Sequence, residues 1–158
     1  MKTLIINILF LIVVSTQLNN TTYIQQKSFD GYIFSKDHFI LISVENQQER
    51  YTPSKEDVIQ VERLIRRNLW KVNNRLINQG GSCPIIHKNL KNYIRQYFGF
   101  VNKNGEKIIR INFVWKTKST DGNISKDVYV LDGCSYYWNI KVNIDSEKLF
   151  DLMVNGEG

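Results

Sequence analysis

Alanine is absent from the 158 residues, and there are only two prolines, two cysteines, two methionines and two histidines. Each scarcity excludes something. Two cysteines cannot build a disulfide-dense mini-scaffold, and with two histidines, at positions 38 and 87 and no other ligand cluster nearby, no zinc centre is expected. No glycine-rich phosphate loop, Cys-x-x-Cys, His-Glu-x-x-His or Gly-x-Ser-x-Gly pattern occurs, so the common catalytic signatures are missing and no cofactor is expected. Missing alanine alongside abundant Ile, Asn and Lys is what an A/T-rich coding sequence produces. Part of the formal charge of +6 therefore reflects codon usage, and with no Lys/Arg run no nucleic-acid partner is expected.

What is present is a core. Hydrophobic residues make up 42% of the chain, with eight Phe, eight Tyr and three Trp, enough to rule out a wholly disordered chain and to specify one domain. The longest apolar run is residues 4–14 (LIINILFLIVV), interrupted only by Asn7, preceded by Lys2 and followed by Ser15, Thr16 and Gln17. A charged start, a short apolar centre and small polar residues after it read as a signal peptide over 1–17; a membrane span needs roughly 20 apolar residues, and none follows. Residues 18–30 are polar and aperiodic, a flexible lead-in, and 31–158 form the domain. Export places Cys83 and Cys134 where they can pair, although sequence alone cannot supply the geometry. The alternative, a reactive thiol with His87 four residues away as its base, is a weak pattern, because nucleophile and base normally come from separate segments.

Along the domain, residues 32–34 and 38–45 read as an interrupted strand or short hairpin. A helix starts at Thr52 or Ser54, with Pro53 and the acids Glu56 and Asp57 in its first turn, and runs to about Asn78, ended by Gly80-Gly81. Val58, Val61, Ile65, Leu69, Val72 and Leu76 form its buried stripe. Arg63, Arg67, Lys71 and Arg75 take the far side. Ile59, Trp70 and Ile77 lie about a third of a turn round from the stripe, a candidate interaction patch if they are exposed together.

Asn104-Gly105 signals a two-residue type I′ hairpin. That turn pairs Phe100 with Ile109, Phe98 with Ile111, Gln96 with Phe113 and Ile94 with Trp115, which makes one face apolar apart from Gln96. Tyr93, Arg95, Tyr97, Arg110, Asn112, Val114 and Lys116 fall on the other. A strand over 127–132 (DVYVLD), a bulge at Gly133-Cys134, an alternating strand through Ile144 and a last strand over 149–154 complete a meander. The expected fold is α+β: one long helix packed across an antiparallel sheet of four to five strands.

That order of elements resembles the cystatin-like arrangement, in which one helix is gripped by a meander sheet. The resemblance implies protease inhibition only as a fold-level analogy. The hairpin that would enter a protease cleft reads Val101-Asn102-Lys103-Asn104-Gly105 in place of Gln-x-Val-x-Gly, and the second hairpin, at Asp145-Ser146, lacks Pro-Trp. Residues 83–113 and 130–158, with the stretch Asp132-Gly133-Cys134-Ser135-Tyr136-Tyr137-Trp138, resemble small exported bacterial proteins of uncharacterised activity, and imply no reaction.

The best candidate site is the sheet face opposite the helix, where Arg95, Tyr97, Arg110, Asn112, Tyr137, Asn139 and Lys141 would gather rings, amides and cations suited to an acidic glycan, a peptide or a partner protein. A solvated polar face is the plainer alternative. Asp121, Asn123, Ser125 and Asp127 alternate as calcium ligands do, but Lys126 stands where the loop needs glycine, and a turn explains the pattern better. Asn19, Asn20 and Asn123 begin glycosylation sequons. A non-enzymatic binding or interaction domain is the leading expectation, with a cystatin-like inhibitor or a small extracytoplasmic hydrolase as alternatives.

Overall fold

The turn between the two longest strands, β4 (Tyr93–Val101) and β5 (Lys107–Trp115), sets the register of the sheet. In the computed structural model, which describes residues 21–40, 49–117 and 125–157, this turn is a three-residue loop and not the expected two-residue one. Gly105 N–H donates to the Asn102 carbonyl (2.9 Å), Asn102 N–H donates to the Glu106 carbonyl (3.0 Å), and Gly105 alone takes a left-handed φ, of 80°. That is a type I turn closed by a glycine bulge. The Asn102 side chain selects it: its Oδ1 accepts from the N–H groups of Asn104 (2.9 Å) and Glu106 (3.0 Å).

One extra loop residue moves every pair by one. Phe100 faces Ile108, Phe98 faces Arg110, Gln96 faces Asn112 and Ile94 faces Val114. Because side chains alternate, this exchanges the two β4 faces against the expected pairing. Tyr93, Arg95 and Tyr97 join Ile109, Ile111 and Phe113 on the helix side, all within 1% of full burial.

Seven strands form one open, mostly antiparallel sheet. β1 (Thr21–Gln26) and β2 (Phe29–Phe34) make a hairpin, so most of the stretch expected as a flexible lead-in is strand. β2 pairs in parallel with β4, and the short β3 (Glu49–Tyr51) pairs antiparallel with the far end of β4. β6 (Tyr137–Asn143) lies on β5, and β7 (Lys148–Val154) on β6. The α+β class with one long helix stands, with more strands than the four to five expected. Residues 1–17, 41–45, Asn19, Asn20, Asp121 and Asn123 lie outside the described residues, so the readings placed on them have no structural counterpart here.

The helix α1 (Lys55–Val72) begins on a capping box: Ser54 Oγ accepts from Asp57 N–H and the Asp57 carboxylate accepts from Ser54 N–H, each at 3.0 Å. It ends at Asn73, several residues before Asn78. The Asn73 side chain is held by Gln79 (2.6 and 2.9 Å) and by the His87 ring (3.0 Å), and the chain leaves through left-handed residues at Leu76 and Asn78. Val72 and Leu76 consequently fall outside the buried stripe. Val58, Val61, Ile65 and Leu69 remain in it, joined by Leu64 and Glu62.

Against this helix pack Ile109, Ile111, Trp138, Ile140 and Val142, with Phe113 stacked on Trp138 at 3.7 Å and Tyr93 edge-on to both. A disulfide joins Cys83 to Cys134, Cα to Cα 6.1 Å, across a sequence separation of 51. Gly133 and Cys134 form no strand bulge. Both are left-handed and lead through a 3-10 turn, Cys134–Tyr136, into β6.

Candidate binding site

The sheet face away from α1 carries two buried amides on paired positions, Gln96 and Asn112, joined by Asn112 Nδ2 donating to Gln96 Oε1 at 2.9 Å. They hold a strap. Residues 125–133, part of which reads as a strand in the sequence, cross this face without joining the sheet. Gln96 Nε2 donates to the Lys126 carbonyl (2.6 Å), Asn112 Nδ2 to the Val128 carbonyl (2.8 Å), and Val128 N–H donates back to Gln96 Oε1 (3.2 Å). At the other end Asn155 Nδ2 donates to the carbonyls of Val130 (2.6 Å) and Asp132 (3.0 Å). Backbone groups lying on a sheet face need partners, and here side-chain amides supply what a ladder would otherwise give. Gln96, the one polar residue in an expected apolar row, was the sequence signal of such a cover.

Between the strap, β6 and β7 lies a cavity of about 740 Å³. Five of the seven residues picked from the sequence line it: Arg110, Asn112, Tyr137, Asn139 and Lys141. The sequence missed its other walls, Tyr129, Val130 and Leu131 of the strap and Asp151, Met153 and Asn155 at the sheet edge, because nothing local shows where a strap will lie.

Arg95 and Tyr97 belong elsewhere, on the helix side of the sheet. Arg95 is 1% exposed; its Nε lies 3.3 Å from Glu62 Oε1, its Nη1 donates to the Tyr93 carbonyl at 2.5 Å, and its guanidinium lies over the rings of Phe113 and Phe29. Tyr97 donates to the same Glu62 oxygen at 2.9 Å, and burial, then the Glu62 charge, pushes its hydroxyl well above its usual pKa. The pair with Glu62 offsets much of the cost of burying the Arg95 charge, which lets the side chain point inward.

The two cations of the cavity differ. The Lys141 ammonium is paired with Asp151 at 2.7 Å. Arg110 is 5% exposed, makes no ion pair, and its Nη1 has no hydrogen-bond partner among the described residues. Burial pulls its pKa down, while the fields of Asp127 and Tyr129 oppose that shift. The same Asp127 acts on two neighbours. It raises His38, which burial lowers on balance, and it opposes the lowering of Arg50, whose guanidinium is taken up by the carbonyls of Gly99, His38 and Ser35.

The second candidate, the Ile59, Trp70 and Ile77 patch, is exposed at 48%, 58% and 57% but is not one surface. Ile59 and Trp70 sit about 16 Å apart along α1 at 1.5 Å per residue, and Ile77 lies beyond its end. Ile59 lines a separate cavity of about 320 Å³ with Phe29 and Arg66, while Trp70 donates its Nε1 to the Arg67 carbonyl (3.1 Å) under Lys71. Cys83 is tied to Cys134 and His87 to Asn73, so the reactive-thiol reading has no free sulfur. Among the described residues no group of three His, Cys, Asp or Glu could hold a metal. Comparison with family models, curated proteins and solved structures finds no match for this chain.

Proposed function

We propose that this chain is an exported, non-enzymatic binding domain whose ligand site is the cavity on the sheet face opposite α1. The observation that carries the reading is a cavity of about 740 Å³ in which a buried, unpaired guanidinium sits among amides and an apolar rim, the makeup of a ligand site and not of a packed core. Export is supported by the leader-like residues 1–17 and is compatible with a disulfide. Among the described residues no helix is long and apolar enough to cross a membrane. The cystatin-like comparison remains architectural, one helix across a mostly antiparallel sheet, and no inhibitor residues accompany it.

The test is to screen the purified, disulfide-intact domain against an array of acidic glycans, peptides and small metabolites, beside Asn139→Trp, which fills the cavity from its β6 wall. The expected result is a hit that Asn139→Trp loses while keeping its melting temperature. Hits retained equally by Asn139→Trp would place binding elsewhere and overturn this assignment.

A further inference from the structure

Resting on that reading of the cavity, we infer that its ligand is a small monoanion with an apolar body, a carboxylate carried on an aliphatic or aromatic group. Arg110 selects the charge. A guanidinium has five donors and no acceptor and keeps its charge at any physiological pH. Leaving part of it buried without a partner costs free energy that a bound acceptor recovers. Water would satisfy the hydrogen bond but not the charge; a carboxylate does both. Lys141 is paired with Asp151 at 2.7 Å, and the fields of Asp127 and Tyr129 on Arg110 do not offset its burial. The guanidinium charge is therefore only partly compensated, and one carboxylate completes it.

The walls select the rest of the ligand. Tyr129, Leu131 and Met153 are 56%, 71% and 63% exposed, and all three line this one cavity. Apolar side chains held against water around a buried cation suit a ligand that is charged at one end and oily at the other. A polyanion gains little more, because Lys141, the second cation on the wall, is already paired with Asp151.

The probes are octanoate, octanamide and octylamine, titrated separately into the isotopically labelled, disulfide-intact domain and followed by amide NMR shifts. Octanoate is expected to shift amides of residues 110–112, 128–131 and 137–141 and to bind roughly ten-fold or more tightly than octanamide, the scale of one charge-assisted hydrogen bond. Arg110→Gln should erase that preference, bringing octanoate affinity down to that of octanamide on the same variant. If Arg110→Gln fails to fold, the octanoate-to-octanamide ratio on the unaltered protein decides. Equal binding of octanoate and octanamide, or tighter binding of octylamine, overturns the anion assignment and leaves the cavity as a ligand site. No shift with any of the three overturns the ligand class; the array with Asn139→Trp then judges the site separately.

Discussion

Glu62→Gln tests the least expected feature of the fold, a charged pair inside the core. Glu62 is 3% exposed, and its Oε1 faces both Arg95 Nε (3.3 Å) and the Tyr97 hydroxyl (2.9 Å). Glutamine keeps the shape and an acceptor for Tyr97 but removes the charge. A guanidinium that is 1% exposed is then left with the Tyr93 carbonyl and two aromatic rings. Removing one partner of a buried ion pair costs about 3–5 kcal/mol, a large part of the roughly 5–15 kcal/mol that holds a domain of this size. At about 3–5 °C per kcal/mol, the melting temperature should fall by roughly 10–20 °C, and the urea midpoint should drop with its slope unchanged. Removing both charges, as Glu62→Leu with Arg95→Met, should cost far less. What remains is the Tyr97 hydroxyl without its acceptor, worth about 1–3 kcal/mol, and adding Tyr97→Phe should bring stability close to the parent. A loss under about 1 kcal/mol for Glu62→Gln, or a double variant costing the sum of its two singles, would refute the reasoning. Either result would mean that Arg95 is solvated and that β4 and β5 pair one residue out of the register described.

Three further outcomes follow from the disulfide, the buried tyrosines and the packing at Gly31. Replacing Cys83 and Cys134 with serine should lower stability by about 4 kcal/mol, the chain-entropy value for a loop closed across a separation of 51, and a urea midpoint shift equivalent to less than about 1 kcal/mol would count against a disulfide that constrains the unfolded chain. Burial raises the hydroxyl pKa values of Tyr51, Tyr93 and Tyr97, so the folded state keeps protons that the unfolded chain releases from about pH 10 upward; stability is full below that pH and falls above it. Absorbance at tyrosinate wavelengths should then show part of the eight tyrosines ionising only on unfolding, whereas all eight titrating near their ordinary pKa in a folded chain would contradict the burial. At Gly31 a Cβ would meet the Arg95 carbonyl oxygen at 2.5 Å and the Tyr97 ring at 2.9 Å, so Gly31→Ala should cost about 1–3 kcal/mol by forcing β2 off β4, against no more than about 0.5 kcal/mol for Gly156→Ala, which meets nothing; equal effects in chemical denaturation would remove the parallel β2–β4 contact from the fold.

Features set by neighbouring residues were legible. Ser54 and Asp57 sit three apart, the spacing that closes a capping box, and the helix starts there. Val58, Val61, Ile65 and Leu69 keep the helical period and are buried, and the alternation of Trp138, Ile140 and Val142 places β6 on the core. The misreadings have a common physical cause in partners distant along the chain or in a side chain that competes with the backbone. Asn104-Gly105 suits a type I′ turn, but Asn102 Oδ1 captures two N–H groups and lengthens the loop. The helix pattern continues to Asn78, but His87 and Gln79 take hold of Asn73 and end it.

The candidate site divides along the same line. Composition and alternation by themselves determined an α+β chain with a leader-like start, a helix with a fixed first turn, and a sheet face bearing Arg110, Asn112, Tyr137, Asn139 and Lys141. Only the tertiary structure decided which way Arg95 and Tyr97 point, that a strap crosses the second face, and that Arg110 is left buried and unpaired beside a cavity. The reason is that a strand's alternation says which residues share a face but not which face meets the core. That choice hangs on a one-residue difference in a loop and on a glutamate 33 positions away on the helix.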